Sequence, residues 1–157
     1  MRNYNYLDDF IYNMYKKIAI LKPEQLSAKV IAERLNIKLF HWERTSEAIM
    51  YDDMDAIFID SRASPQVQWQ DFCHELGHLM LHAGNQSYMP PLFVEYQEWK
   101  ANNFMYNACI PTFMLDALHI QNMTNKEIHT VQKLFNVEAS FASKRLQRYI
   151  QNRNVLY

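Results

Sequence analysis

The sequence predicts an α+β fold, mostly helical, with a small antiparallel sheet and a C-terminal helical subdomain. Three observations carry this. Apolar residues recur at helical spacing through most of the chain. Three short β-prone runs cluster between residues 37 and 60. The helical pattern then resumes and holds almost to the C-terminus.

Two N-terminal helices come first. Leu7, Phe10, Ile11, Met14 and Ile18 share one helical face over residues 6–20. Leu26, Val30, Ile31 and Leu35 do the same over 25–35, after Pro23 near the start. The β-prone runs are Ile37 to Trp42, the weaker Glu47 to Tyr51, and Asp55 to Asp60, an apolar run between acids. Ser64-Pro65 then supplies a cap and a first-turn proline for a helix carrying Trp69, Phe72, Leu76, Leu79 and Met80 and ending near Ala83-Gly84. Residues 84–91, with one of the two glycines and Pro90-Pro91, predict a surface loop. A helix over Phe93 to Asn107 runs toward Pro111, and two more are expected at 126–135 and 139–151.

Bulk properties narrow the function classes. At 157 residues the chain has the size of one domain, expected to divide into a core at 1–115 and a helical subdomain at 116–157. Hydrophobic residues at 49% and charged residues at 21% are ordinary for a compact fold. A net charge of −1 gives no global basic field toward nucleic acid or anionic lipid. Neither a secretory start nor a membrane-length apolar run is visible, so a cytoplasmic location is expected. Cys73 and Cys109 are expected as free thiols, and Cys73 as a packed core residue. Trp42, Trp69 and Trp99 each fall in an amphipathic element and are expected in the core or a cleft.

The chemistry concentrates in His74-Glu75-Leu76-Gly77-His78. Histidines four apart lie on one helical face about 6 Å from each other, so both imidazoles reach one Zn²⁺ at about 2.0–2.1 Å. Glu75 is displaced around the helix, free to hold a water and act as general base. A catalytic zinc needs one more protein ligand from another segment, and the next helix offers Glu95 and Glu98. His82 is one further turn along, but three histidines at i, i+4 and i+8 span about 12 Å and cannot surround one ion. It remains a candidate for lining the cleft. Gly77 costs the helix about 1 kcal/mol relative to alanine, which close approach of another backbone or a substrate would explain. A donor for the oxyanion is expected, with Tyr51, Tyr88, Tyr96 and Tyr106 among ten tyrosines and none singled out.

Residues 72–82, Phe-Cys-His-Glu-Leu-Gly-His-Leu-Met-Leu-His, followed by Glu98-Trp99-Lys100-Ala101-Asn102-Asn103-Phe104, resemble the ImmA/IrrE family of zinc metallopeptidases. The resemblance covers roughly residues 25–115 and extends to Ala32 through Ile37 and to Asp55 through Asp60, the latter as an edge strand. It departs from the family at Met105, where a small residue is usual, and at Cys109-Ile110-Pro111. It implies a zincin-like core, one zinc per chain, and Glu98 rather than Glu95 as the third ligand beside His74 and His78. It also implies an endopeptidase of a cytosolic protein, with a helix-turn-helix repressor of a phage or mobile element as the expected partner. An extended substrate would add to Ile57-Phe58-Ile59 as an exposed edge strand.

Two other functions are weighed beside it. One is a regulatory docking module that keeps the zinc site with negligible turnover, against which the intact Glu75 argues. The other is a DNA-binding regulator that uses residues 124–148 as a helix-turn-helix carrying Lys133, Lys144, Arg145 and Arg148. Four bases without excess positive charge favour a packing unit, so DNA binding is not expected.

Overall fold

In a computed structural model, residues 5–81 and 90–154 are described. The elements in order are α1 (Tyr6–Lys17), a 3-10 turn (Pro23–Gln25), α2 (Ala28–Arg34), β1 (Lys38–Trp42), β2 (Glu47–Tyr51), β3 (Met54–Asp60), α3 (Pro65–Leu81), α4 (Pro91–Cys109), α5 (Thr112–Ala117), α6 (Asn125–Leu134) and α7 (Ala139–Asn154). The α+β class holds. Pro23 opens the short 3-10 turn rather than the second helix, which starts three residues after that turn behind a Ser27 cap. The helix α5 was not foreseen, because six residues between Pro111 and Leu118 are too few to show a period.

With two glycines in the chain, helices end on other residues in the left-handed region. Ala19 (φ 56°), Asn36 (57°), His119 (54°) and Asn136 (54°) follow α1, α2, α5 and α6. Each precedes a buried apolar residue: Ile20, Ile37, Ile120 and Val137. Three of those amides reach back to carbonyls of the closing turn, Ile20 to Tyr15, Ile37 to Ala32 and Val137 to Gln132. The stop signal is thus the pairing of a left-handed residue with a buried one behind it.

The sheet is mixed, not wholly antiparallel. Its order is β1-β3-β2, with β3 antiparallel to β2 and parallel to β1. Asp52, at φ 51°, opens the two-residue turn that folds β2 onto β3, and β1 then takes the other side of β3. The edge-strand expectation for Ile57-Phe58-Ile59 is overturned: β3 is central, with Ile57 and Ile59 buried at 0% and 2% exposure. The edges are β1 and β2. Phe40 stacks on Phe58 and Trp42 lies tilted against it, with ring centroids 5.0 and 4.5 Å away, and Arg44 lies over Trp42.

The described chain forms two compact units. One comprises Ser27–Met105, with the sheet, α2, α3 and most of α4; the other joins Met1–Leu26 to Tyr106–Tyr157. This differs from the contiguous boundary at 115, because α1 is tied to the C-terminal helices. The Tyr15 hydroxyl donates to the Ala108 carbonyl at 2.7 Å, and Thr112 Oγ1 donates to Asp8 at 2.6 Å. Arg145, 2% exposed, donates to the Ile110 carbonyl and to Thr112, satisfying the chain where α4 gives way to α5. Burial lowers the Arg145 pKa to about 10, with Asp8 pulling it back, so the guanidinium stays charged at neutral pH. Of the four bases weighed for nucleic acid, Arg145 is therefore interior, and Lys144 and Arg148 sit over the Tyr106 ring. In this unit α6 and α7 pack on each other, and Val131, Phe135, Phe141 and Leu146 are buried.

Candidate metal centre

Helix α3 is set by its first turn. The Ser64 hydroxyl accepts from the Val67 amide at 3.2 Å and Pro65 supplies the first helical residue. Trp69, Phe72, Cys73 and Leu76 are buried, so the helix is held by that face and has little freedom to rotate. His74 and His78, one turn apart, stand at its margin with 18% and 15% side-chain exposure.

Helix α4 brings Glu98 to them. Gln97, Ala101 and Phe104 are the buried positions of α4 in this unit, and Glu98 lies beside them. Its carboxylate oxygens are 3.1 Å from His74 Nε2 and 3.0 Å from His78 Nε2, and the two Nε2 atoms are 3.2 Å apart. Among the described residues these three form the group able to hold a metal ion, with donor atoms all within 4.8 Å of one another. Tetrahedral bonds of about 2.0–2.1 Å imply donor separations of about 3.3–3.4 Å. The 3.2 Å between the two Nε2 atoms is close to such an edge, each Nε2 faces its own Glu98 carboxylate oxygen at 3.0–3.1 Å, and a His, His, Glu set is the donor chemistry of a zinc site that keeps an open position.

Glu95 is exposed and outside this group. His82 and Tyr88 lie outside the described residues. Of the other tyrosines named, Tyr51 and Tyr96 are 69% and 53% exposed, and Tyr106 stacks on Phe141. Cys73 and Cys109 are buried free thiols, as expected. Trp69 is interior, but Trp99 is 62% exposed and stacks on Tyr96, contrary to a core role.

Glu75 is buried at 9% exposure. Burial pushes its carboxyl up to about 8; the Ala48 amide donates to it and pulls the other way, while Glu98, Asp71 and Glu47 push it further up. A cation at the neighbouring ligands would oppose that rise. Ala48 was not foreseen, and no residue-type signal could have revealed it, since the contribution is a main-chain N–H. It comes from β2, an edge strand, on the side away from β3.

The close approach at Gly77 is made by a side chain, neither a backbone nor a substrate. A β-carbon there would lie 3.1 Å from Phe104 Cβ and Cδ1.

The family model described as the IrrE N-terminal-like domain of peptidase M78 matches residues 24–147. The chain is similar to the uncharacterized protein YqaB of Bacillus subtilis strain 168, at 41% identity over 145 residues, covering 92% of this chain and 84% of YqaB. It is also similar to the phage-like element PBSX protein XkdA of the same strain, at 36% identity over 145 residues, covering 92% of this chain and 73% of XkdA.

Proposed function

The chain belongs to the peptidase M78, IrrE N-terminal-like family, and from that premise we propose that it is a zinc-dependent endopeptidase acting on a cytosolic protein, a helix-turn-helix repressor of a phage or mobile element being the substrate class. The observation that carries this is the convergence of His74, His78 and Glu98, with donor atoms within 4.8 Å of one another, beside a buried Glu75. The phage-element name of XkdA supports the genetic context.

His74, His78 and Glu98 would hold the zinc. The ion, when bound, supplies Lewis acidity, which lowers the pKa of a water toward 7 and polarises the scissile carbonyl. Glu75 accepts the proton of the attacking water and returns it to the leaving amine. The Ala48 N–H holds one side of the Glu75 carboxylate, which fixes its orientation and favours the ionised form needed to start. No residue forms a covalent bond to the substrate.

The edge that suits an extended substrate is β2. Backbone groups two residues apart in a strand point to the same side, so Met50 presents its N–H and C=O along the edge that Ala48 turns toward Glu75. A substrate strand paired there would run over the metal ligands in fixed register.

The test begins with metal content by mass spectrometry on wild type, His78→Ala and Glu98→Ala. About one zinc in wild type and little in either variant is expected. A panel of purified helix-turn-helix repressors is then incubated with the zinc-loaded protein, with Glu75→Gln as control. Cleavage by wild type alone supports the proposal. Stoichiometric zinc without cleavage of any repressor shifts the reading to a docking module.

A further inference from the structure

We propose that Ser46 and Asp71 form a latch that sets the register of β2 against α3, and thereby the meeting of the Ala48 amide with Glu75; this deepens the peptidase reading and rests on it.

Ser46 stands one residue before β2. Its hydroxyl donates to Asp71 Oδ2 at 2.6 Å and accepts from the Asp60 amide at 2.9 Å. One side chain therefore ties together the start of β2, the end of β3 and the helix that carries the metal ligands. With one donor and one acceptor role both filled, its orientation is determined. Asp60 is held in turn by Arg62, whose Nε and Nη2 donate to its two carboxylate oxygens at 2.8 Å, so the far end of the latch is anchored.

The spacings match along both elements. Asp71 precedes Glu75 by four residues, one helical turn on the same face and about 6 Å along the axis. Ser46, just before β2, precedes Ala48 by two residues, about 6.6 Å along extended backbone. Ser46 on Asp71 and Ala48 on Glu75 are thus consecutive rungs between a strand and a helix of nearly equal pitch. A slip of one residue in β2 would turn the Ala48 amide toward β3 and carry every β2 side chain to the opposite face. The turn between β2 and β3 sets the register of those two strands; Ser46 transmits it to α3.

The acceptor oxygen at position 71 matters here, not its charge. Asp71→Asn keeps an oxygen for the Ser46 hydroxyl and Asp71→Ala removes it, just as Ser46→Thr keeps the hydroxyl and Ser46→Ala removes it.

The experiment reads the Ala48 amide by NMR in the full chain loaded with zinc, in wild type and these four variants. In Ser46→Ala and Asp71→Ala the amide is expected to exchange at least tenfold faster and to shift upfield, while Asp71→Asn and Ser46→Thr restore the wild-type values and zinc content stays near one. Repressor hydrolysis is read beside it, with kcat expected to fall tenfold or more in the two alanine variants and to return in the conservative pair. A wild type that cleaves nothing defeats the peptidase reading, yet leaves the amide measurement to judge the latch. An Ala48 amide unchanged in both alanine variants overturns the latch, and so does loss of its protection in the conservative pair. If an alanine variant fails to fold, the conservative pair still decides, because a latch requires both to retain the amide.

Discussion

Gly77 on α3 and Phe104 on α4 meet so closely that a β-carbon at residue 77 would sit 3.1 Å from two atoms of the Phe104 side chain. Phe104 has no exposed surface and cannot swing aside. The same two helices carry His74 and His78 on one side and Glu98 on the other, so their separation sets the distance between the ligands.

Gly77→Ala should therefore be destabilising. Its helix-propensity gain of about 1 kcal/mol is opposed by overpacking that costs about 1–3 kcal/mol. Zinc affinity should fall with stability as Glu98 moves outward. Urea unfolding and competitive zinc titration would read both, and Phe104→Leu in the Gly77→Ala background should recover part of each loss.

Removing a ligand should act on the metal more than on the fold. Glu98 is 41% exposed at its side chain, so Glu98→Gln leaves no buried group stranded. Zinc affinity should drop at least tenfold while the metal-free melting temperature stays within a few degrees of wild type. Calorimetry with and without a chelator checks this.

The metal-free protein should lose stability as pH rises. Glu75 has a carboxyl raised from 4.5 to about 8, so between those values the folded chain binds more protons than the unfolded chain. The contribution is fully present below pH 4.5 and is lost as pH climbs through 8, on the order of a few kcal/mol. Glu75→Gln should abolish that component. Melting temperatures of metal-free wild type and Glu75→Gln at pH 5, 6.5 and 8.5 should diverge with rising pH, the variant becoming the more stable.

In the other unit, Arg145→Ala should cost about 3–5 kcal/mol, because it leaves the Ile110 carbonyl and the Asp8–Thr112 pair without their buried partner. Chemical unfolding would measure it. Arg145→Met, of similar length and without polar atoms, should cost less than the alanine.

Ala19→Gly should stabilise. Ala19 sits at φ 56°, where a side chain costs about 1–2 kcal/mol, and glycine returns about half of that after its own entropy loss. A rise in thermal midpoint of a few degrees would confirm the strain, and no rise would show that Ile20 burial alone fixes the turn.

How much was legible follows from how local each signal is. The helices and the Ser64-Pro65 start were readable because periodicity and caps are written in neighbouring residues. His74, Glu75 and His78 were readable because four residues of helix suffice to align two imidazoles. The choice of Glu98 over Glu95 rested on resemblance to a family; in the structure Glu98 is the carboxylate that stands with His74 and His78.

Other features needed the tertiary structure. The central place of β3 depends on which strand returns to which side, and alternation within a strand is blind to its neighbours. Trp99 reads as a core residue by type, yet α4 buries Gln97, Ala101 and Phe104 and leaves the tryptophan outside. Arg145 reads as a surface base, yet it closes a carbonyl 35 residues away. The sequence by itself determined most of the element types and the alignment of His74 and His78 on one helical face with Glu75 beside them, because those are short-range consequences of helical geometry. Only the tertiary structure decided the strand order, the Phe104 contact at Gly77 and the Ala48 amide on Glu75, because each joins groups far apart in the chain whose pairing no local pattern encodes.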